Sequence, residues 1–331
     1  MNISVDIEKY GFVKEEIGND INLVEEIKKL KKEKNAIIMA HYYQTGDIQD
    51  IADYIGDSLA LAKDAENNTA DMILFAGVNF MGETAKILSP QKKVIVPDIK
   101  AGCSLADSCD PVEFAKFREE NKDRTVITYV NTTAEIKMLS DIICTSSNAL
   151  QIVESLPREE KILFAPDRNL GNYIKSKTER DILVWDGACH VHEAFSVERI
   201  LKLKEENPDA KIIAHPECEK PVLIISEFIG STKALLEYSK KDDSNKYIVA
   251  TESGILHQMK KESPSKEFIA APPKDSSCGC SDCNYMKLNT MEKIYIALKH
   301  EMPEITLEQQ VIEKAYKPIK RMLDISYKLG L

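Results

Sequence analysis

The residues with the clearest capacity for chemistry are cysteines, three of which fall in one short segment near the C-terminus. Cys278, Cys280 and Cys283 lie within six residues, and the other five cysteines are at positions 103, 109, 144, 189 and 218. Closely spaced thiolates hold zinc or iron. Two interpretations stay open: the segment forms a zinc site with one distant ligand, or it gives one ligand to an iron–sulfur cluster.

Hydroxyl side chains provide a second set of candidates. Ser58, Ser146 and the pair Ser231–Thr232 follow turn residues where helices are expected to begin. A hydroxyl beside the backbone N–H groups of a helix N-terminus can bind a carboxylate or a phosphate. The same placement also suits an ordinary helix N-cap, so the pattern predicts either anion sites or caps.

An internal repeat relates these residues to one another. Four landmarks recur with nearly constant separation: His41, Tyr129 and His215 (88 and 86 residues), Ser58, Ser146 and Ser231 (88 and 85), Ala76, Ala165 and Ala250 (89 and 85), and Cys103 and Cys189 (86). Each repeat contains short apolar runs without alternation, which are typical of strands buried on both faces of a parallel sheet. The sequence therefore predicts a triplicated α/β unit.

The repeat predicts where the site lies. Ligands of parallel α/β sheets collect beyond the carboxyl ends of the strands, and each repeat delivers a polar residue, a hydroxyl and a cysteine there. We expect three three-layer αβα domains around a pseudo-threefold axis, with the cysteines meeting at the central junction. Three thiolates suit a 4Fe–4S cluster with one open iron, a Lewis acid. Spacing leaves the choice among Cys278, Cys280 and Cys283 open.

The predicted organisation has five parts. A helical segment covers 1–35, the α/β repeats cover 36–106, 107–193 and 194–284, and C-terminal helices at 285–331 pack on the first repeat. In the first part, Asp20 is expected to cap a helix that runs to about Lys34. In the last part, Pro318 is expected to interrupt the second helical pattern.

Composition excludes several classes of protein. The 331 residues carry 44 basic and 54 acidic side chains, a net charge of −10, which argues against nucleic acid as the main partner. No run of 18 apolar residues predicts a membrane span. The N-terminal sequence lacks the layout of a signal peptide, so we expect a cytoplasmic protein whose cysteines are reduced thiols or metal ligands.

Several motifs together resemble a known family, quinolinate synthase. They are His41-Tyr42-Tyr43-Gln44, Asp50-x-x-Asp53-x-x-Gly56-Asp57-Ser58, Tyr129-Val130-Asn131-Thr132, Gly187-x-Cys189-x-x-His192, His215-Pro216-Glu217-Cys218 and Cys283-Asn284-Tyr285-Met286-Lys287. The resemblance implies three α/β domains around a 4Fe–4S cluster with three cysteine ligands. It also implies that iminosuccinate condenses with dihydroxyacetone phosphate to give quinolinate, phosphate and water. Since iminosuccinate arises from aspartate oxidation, functional coupling to L-aspartate oxidase is a further expectation.

The resemblance also implies roles for individual residues. It selects Cys283 as the third cluster ligand beside Cys103 and Cys189, and assigns no redox role to Cys278 or Cys280. The implied acid–base residues are Tyr43 and Glu217, and Tyr129 with Asn131 would orient substrate at the open iron. The residues that would hold carboxylates and phosphate are His41, Ser58, Ser146, His192, His215, Ser231 and Thr232.

General chemistry and two rival functions complete the predictions. Proton transfer in a closed site favours a Glu217 whose pKa is raised towards neutrality. The first rival is a diphthamide-forming radical enzyme that splits S-adenosylmethionine, against which the His-Tyr-Tyr-Gln and His-Pro-Glu motifs argue. The second is a non-catalytic zinc or iron–sulfur carrier, in which Tyr43→Phe and Glu217→Gln would change nothing.

Overall fold

Three parallel β-sheets form the framework of the protein. The structure, a computed structural model, describes residues 3–275 and 281–331. Each sheet has four strands, and in each the first strand of the repeat is central, flanked by the second and third, with the fourth outside the third. The predicted α/β class with three repeated sheets is therefore confirmed.

The first sheet uses residues from the N-terminal third of the chain. Its strands are β1 (Ala36–His41), β2 (Tyr54–Gly56), β3 (Met72–Ala76) and β4 (Lys93–Ile95). The helices that precede or connect them are α1 (Ile3–Tyr10), α2 (Leu23–Glu33), α3 (Gly46–Ile51), α4 (Ser58–Asn67) and α5 (Asn79–Leu88). All three strand pairs are parallel, and every residue of β3 is buried, as expected for a sheet covered on both faces.

The second and third sheets repeat this plan. The second contains β5 (Thr125–Tyr129), β6 (Ile142–Cys144), β7 (Ile162–Ala165) and β8 (Ile182–Val184), with α6 (Ser104–Asp107), α7 (Pro111–Glu120), α8 (Ala134–Met138), α9 (Ala149–Glu154) and α10 (Arg168–Thr178). The third contains β9 (Lys211–Ala214), β10 (Phe228–Ile229), β11 (Lys246–Ala250) and β12 (Glu267–Ala270), with α11 (His190–Glu193), α12 (Val197–Glu206), α13 (Lys220–Ile224), α14 (Thr232–Lys241) and α15 (Ile255–Glu262).

The C-terminal part adds a 3₁₀ turn (Met286–Leu288), α16 (Met291–His300) and α17 (Gln309–Lys328). Pro318 lies inside α17, so the prediction that it interrupts the helix is wrong. Ile312, Ala315, Ile319 and Met322 form a buried stripe along this helix, and their burial outweighs the one hydrogen bond that proline cannot donate. The expected Asp20 cap is also wrong, because Asn22 accepts from the Glu25 N–H at the start of α2.

A reciprocal hydrogen-bond pair shows that the three repeats are built alike. In each repeat, the side chain of an acidic residue just before the second strand accepts a hydrogen bond from a backbone N–H of the first strand. The backbone N–H of the acidic residue in turn donates to the carbonyl of that same first-strand residue. The side-chain bonds are Asp53 to Ile38 (2.7 Å), Asp141 to Val126 (2.8 Å) and Glu227 to Ile212 (2.7 Å). The carboxylates occupy equivalent positions, which supports a common local design for all three sheets.

The chain divides into two compact units. The first unit consists of Met1–Cys103 and Asn284–Tyr316, and the second of Ser104–Cys283 and Lys317–Leu331. The core of the first unit joins Ile38 and Leu74 of its sheet to Ile27 of α2 and Ile294 of α16. The domain boundaries predicted from the sequence stay a prediction.

The second unit holds the other two sheets, each with its own apolar cluster. Phe114, Val126 and Leu163 belong to the cluster of the second sheet. Phe195, Ile212 and Ile248 belong to that of the third. In this unit the end of α17 is fixed to the second repeat, because Asn148 donates to the Ser326 hydroxyl at 3.0 Å. Across the described ranges, 3–275 and 281–331, no helix has both the length and the apolar character needed to cross a membrane.

Candidate active site

The end of the first strand in each sheet presents two polar residues at equivalent positions. These pairs are His41 and Tyr43, Tyr129 and Asn131, and His215 and Glu217. In the first and third repeats the histidine Nδ1 lies within hydrogen-bond distance of the backbone N–H two residues on, at 3.2 and 3.3 Å. This local bond shapes the turn that carries Tyr43 and Glu217, so the predicted acid–base residues lie on similar turns in different units.

Glu217 is the centre of the site in the second unit. The residue is 2% exposed, and its Oε1 accepts a hydrogen bond from the Tyr129 hydroxyl at 2.6 Å. His192 Nδ1 lies 3.2 Å from Oε2, and His215 Nδ1 lies 3.6 Å from Oε1. Three of the residues predicted from the sequence therefore contact the buried carboxylate of a fourth, Glu217.

The electrostatic environment of Glu217 differs from the expectation. Burial raises the pKa of this carboxyl, but the charges of His192 and His215 and the hydrogen bonds from His192 and Tyr129 act in the opposite direction. The net result is a pKa lowered to about 2, so the expected shift towards neutrality is wrong. Glu217 is therefore ionised near neutral pH and present in its proton-accepting form, while its lowered pKa makes it a weaker base than an ordinary glutamate.

Asp167, a second buried carboxyl, lies just beyond β7. Its Oδ1 accepts from the Leu170 N–H at 2.6 Å and caps α10, whereas its Oδ2 has no hydrogen-bond partner among the described residues. Burial and the negative charge of Glu217 raise the pKa of Asp167 well above its usual value. The two carboxyls thus have opposite shifts, and Asp167 holds a proton more firmly than an ordinary aspartate.

Cys189 adjoins this cluster. His192 Nδ1 is 3.2 Å from the Cys189 sulfur, and His192 Nε2 is 3.0 Å from the Thr251 hydroxyl oxygen. The donor atoms of Cys189, His192 and Glu217 lie within 4.8 Å of one another. A thiolate, an imidazole and a carboxylate at this spacing have the chemistry of a metal-binding group.

The six described cysteines fall into two classes. Cys109, Cys144 and Cys218 are buried, and burial raises the pKa of each thiol, to about 12 for Cys109. The other three are half-buried: Cys103, Cys189 and Cys283. Because metals bind the thiolate, the second class is the better suited to ligation. The three half-buried cysteines are those predicted as ligands, each in the segment after the last strand of a sheet.

The Cys283 segment is held by the third sheet. The Cys283 backbone N–H donates to Glu252 Oε1 at 3.1 Å, and the Gly254 N–H donates to Glu252 Oε2 at 2.7 Å. Asp282 also contacts the Ser253 hydroxyl. Cys278 and Cys280 lie outside the described residues.

The hydroxyl residues show a different register from the one that sequence spacing suggested. Gly56 and Cys144 pair with the last residues of β1 and β5, which makes Ser58 and Ser146 equivalent. In the third repeat Ile229 pairs with Ala214, so the residue matching Ser58 and Ser146 is Thr232. The proposed equivalence of Ser231 is therefore wrong by one position.

Ser231 has a defined structural function. It caps α14 by accepting from the Ala234 N–H at 3.2 Å, as Asp57 caps α4 by accepting from the Ala60 N–H at 3.0 Å. The Ser147 hydroxyl lies 2.7 Å from that of Ser231, which joins the two repeats of the second unit. Of the two interpretations offered for these hydroxyls, N-capping is therefore shown for Ser231.

Asn131 has a buried amide oxygen that lacks a hydrogen-bond partner among the described residues. Two hydrogen bonds hold the turn that carries Asn131. The buried Lys137 ammonium donates to the Thr132 carbonyl, and the Thr132 hydroxyl donates to the Tyr129 carbonyl. A buried, unpaired acceptor is unusual in a folded protein and suits a position that meets a ligand.

In the first unit, side chains hold the backbone around Tyr43. Gln49 Nε2 donates to the carbonyls of Tyr42 (3.0 Å) and Gln44 (2.8 Å), and Lys287 Nζ donates to the Tyr43 carbonyl at 2.7 Å. The Tyr43 ring meets that of His41 edge-on with centroids 4.4 Å apart. This unit also carries Ser58 and Cys103, whereas the other predicted site residues belong to the second unit.

Sequence reasoning missed Asp167, Thr251 and Glu252. They follow Ala165 and Ala250, the last residues of β7 and β11, which had served only as markers of the repeat. The rule that ligands collect beyond strand ends applies to these third strands as well as to the first. Inspection of the two residues after each marker would have found all three.

The fold and this site together define an α/β enzyme with a thiolate, imidazole and carboxylate centre. The family described as "Quinolinate synthetase A protein" matches residues 25–324. Quinolinate synthase of Synechocystis sp. is 58% identical over 305 residues, covering 92% of this chain and 96% of that protein. The enzymes of Chloroherpeton thalassium (54%, covering 93% and 96%) and Nostoc sp. (55%, covering 93% and 95%) are similar. The chain belongs to the quinolinate synthase family.

Proposed function

We propose that the protein makes quinolinate by condensing iminosuccinate with dihydroxyacetone phosphate, with release of phosphate and water. The observation that carries the proposal is the buried carboxylate of Glu217, in contact with Tyr129, His192 and His215 and next to Cys189, in a member of this family. The cytoplasmic location and the functional coupling to L-aspartate oxidase are parts of the same proposal.

The chemistry of the thiols fits a 4Fe–4S cluster. Cys103, Cys189 and Cys283 would hold it, since they are half-buried, whereas burial opposes ionisation of the other described thiols. When bound, such a cluster with three protein ligands supplies an open iron that polarises a carbonyl or hydroxyl. His192, 3.2 Å from the Cys189 sulfur, would add a hydrogen bond that steadies this ligand.

The residues around Glu217 account for proton transfer. As an ionised carboxylate it accepts a proton from substrate, and the Tyr129 hydroxyl, already donating to it, orients the carboxylate. Tyr43 is the second acid–base residue, on the equivalent turn of the first repeat. The buried amide oxygen of Asn131 would accept a hydrogen bond from substrate.

The substrates carry two carboxylates and one phosphate, which call for several anion sites. Ser58, Ser146 and Thr232 occupy equivalent positions after the second strands and would each provide a hydroxyl near backbone N–H groups. His41, His192 and His215 would supply further donors. Ser231 would contribute indirectly, because its side chain caps α14 and so fixes the N-terminus of that helix.

The test is anaerobic purification, analysis of iron and sulfide, and a quinolinate assay. We expect a brown protein with about four irons and four sulfides per chain. Tyr43→Phe and Glu217→Gln should retain the cluster and lose turnover, while Glu227→Gln, whose side chain bonds the backbone of β9, should retain both. A wild-type protein that holds its cluster but makes no quinolinate would contradict the proposal.

One observation favours a second candidate, a metal carrier. The grouping of Cys189, His192 and Glu217 within 4.8 Å could hold a single ion without sulfide. Unlike the carrier expected from the sequence, which Glu217→Gln would leave unchanged, this candidate uses Glu217 as a ligand. It predicts one zinc per chain, no acid-labile sulfide, and a Glu217→Gln variant that loses the ion. Retention of iron and sulfide by Glu217→Gln would exclude it.

A further inference from the structure

Two adjacent residues at the end of β11 contact two separate parts of the site. Thr251 and Glu252 are each 1% exposed. The Thr251 hydroxyl lies 3.0 Å from His192 Nε2, whose ring contacts Cys189 through its other nitrogen. Glu252 accepts the backbone N–H of Cys283 at 3.1 Å and that of Gly254 at 2.7 Å. Two residues after one strand thus contact both the histidine beside the proposed ligand Cys189 and the backbone of the proposed ligand Cys283.

We infer that Thr251 and Glu252 are positioning residues for the sulfurs of Cys189 and Cys283. The inference rests on the proposed function, because that proposal makes these sulfurs cluster ligands. Thr251 fixes the rotation of the His192 ring, so that Nδ1 faces both the Cys189 sulfur and Glu217. Glu252 fixes the backbone from which the Cys283 side chain projects.

The strand that precedes Thr251 and Glu252 is suited to hold these two residues in place. β11 lies inside the third sheet between β9 and β12, and every residue from Tyr247 to Ala250 is buried. Thr251 and Glu252 directly follow this strand, which fixes the backbone that leads into them. A carboxylate that accepts two backbone N–H groups also makes stronger hydrogen bonds than a neutral acceptor.

The repeat shows that the sheet itself does not require this carboxylate. Val78, Asp167 and Glu252 occupy equivalent places, two residues beyond the third strand of each sheet. Val78 is apolar, and Asp167 caps the helix that follows it. Of the three, Glu252 alone accepts the N–H of a proposed ligand residue, so its role belongs to the site of the third repeat.

The experiment compares Glu252→Ala, Glu252→Gln and Thr251→Val with wild type and with Glu227→Gln. Glu227 is the matched control, since its carboxylate also accepts a backbone N–H, from Ile212, in the same sheet. Three quantities are measured: amide exchange of residues 281–286 without iron, iodoacetamide alkylation of Cys189 and Cys283 by peptide mass spectrometry, and iron and sulfide bound after anaerobic reconstitution.

We expect Glu252→Ala to speed exchange of the Cys283 amide about tenfold, because a charge-assisted bond of ordinary strength is lost. Its Cys283 should alkylate faster, and its iron content should fall below half of wild type. Glu252→Gln keeps one acceptor and should fall in between. Thr251→Val should speed alkylation of Cys189 and leave the Cys283 amide unchanged. Glu227→Gln should match wild type in all three quantities.

Wild-type exchange, alkylation and iron content in Glu252→Ala would overturn the inference even if the wild-type enzyme makes quinolinate. The proposed function fails by a different result, a cluster-loaded wild type that makes none. If Glu252→Ala does not fold, the comparison of Glu252→Gln with Glu227→Gln decides. Equal exchange of the Cys283 amide in these two variants overturns the inference. Faster exchange in Glu252→Gln supports it.

Discussion

The Tyr129 hydroxyl lies 2.6 Å from Oε1 of Glu217. Tyr129 ends the first strand of the second sheet, and Glu217 follows the first strand of the third sheet by three residues. Both side chains are buried, so the hydrogen bond joins two repeats inside the second unit. Through it the phenol O–H donates to the carboxylate that we assign as a base, and removal of this hydrogen bond is the most direct test of that assignment.

Tyr129→Phe removes this donor while it keeps the ring. We expect kcat to fall roughly tenfold to a hundredfold, which corresponds to the loss of one hydrogen bond to a charged group. Iron content should stay within error of wild type, whereas the thermal midpoint should fall, because the buried Glu217 carboxylate loses a donor. Steady-state quinolinate kinetics on reconstituted protein measure the effect, and an unchanged kcat would show that the bond has no part in turnover.

Lys287→Met tests the support of Tyr43. Lys287 donates to the Tyr43 carbonyl, and its loss removes one of the hydrogen bonds that hold the turn that carries the tyrosine. We expect a lower kcat with unchanged iron, because a small misplacement of an acid–base group is costly in rate. Lys299→Met is the matched control: Lys299 pairs with Glu15 in the same unit, and its loss should leave kcat unchanged. Equal kcat in both variants would contradict the role of Lys287.

The sequence predicted the elements whose signals are local. Unalternated apolar runs identified buried parallel strands, and the recurrence of His41, Tyr129 and His215 identified the first strand of each repeat. The Ser231 register was wrong by one residue because spacing alone cannot locate a strand pairing, whereas the Ala214–Ile229 pair does so directly. Pro318 was misjudged because the buried stripe of α17 is worth more than one hydrogen bond.

The electrostatics of the site could be predicted only in part. Burial of Glu217 was foreseeable, and burial by itself raises the pKa of a carboxyl. The direction of the net shift depends on His192 and His215, and on Tyr129, which comes from another repeat. Such contacts follow from how the repeats pack, which motif spacing does not encode. Thr251 and Glu252 escaped notice for a different reason, because Ala250 had served only as a marker of the repeat.

The two classes of cysteine predict different reactivity. Without iron, Cys103, Cys189 and Cys283 should alkylate readily at neutral pH, whereas Cys109, Cys144 and Cys218 should stay unmodified until the protein unfolds. The reason is that burial blocks access to the thiols of Cys109, Cys144 and Cys218 and also raises their pKa. Peptide mass spectrometry after brief iodoacetamide treatment, with and without guanidinium, checks this. Rapid native labelling of Cys144 would contradict it.

The repeated carboxylates should be structural. Asp53→Ala leaves the Ile38 N–H without its acceptor and also removes the partner of Lys31, so we expect a loss of about 1–3 kcal/mol in the free energy of unfolding. Asp123→Ala removes an exposed pair with Lys161, which solvent screens, and should lower the thermal midpoint less than Asp53→Ala does. Thermal midpoints of both variants provide the measurement. Equal midpoints would show that the Asp53 bond contributes no more than a surface ion pair.

Acid stability should depend on Asp242. Its hydrogen bond from Lys211 at 2.5 Å, opposed by burial and aided by the Tyr247 hydroxyl at 2.8 Å, lowers the pKa of Asp242 to about 2. An unfolded aspartate titrates near pH 3.9, so between these values the unfolded chain binds more protons than the folded one. The contribution of Asp242 is complete above about pH 4 and is lost as the pH falls through about 2.

Asp242→Asn should therefore show a smaller loss of stability than wild type between pH 4 and pH 2. Its stability at neutral pH should be lower, because the amide cannot pair with the Lys211 ammonium. Urea unfolding at a series of pH values, followed by circular dichroism, measures both effects. Parallel pH profiles for the two proteins would show that the depressed pKa of Asp242 contributes nothing to folding, and the Lys211 contact would then rank with ordinary surface ion pairs.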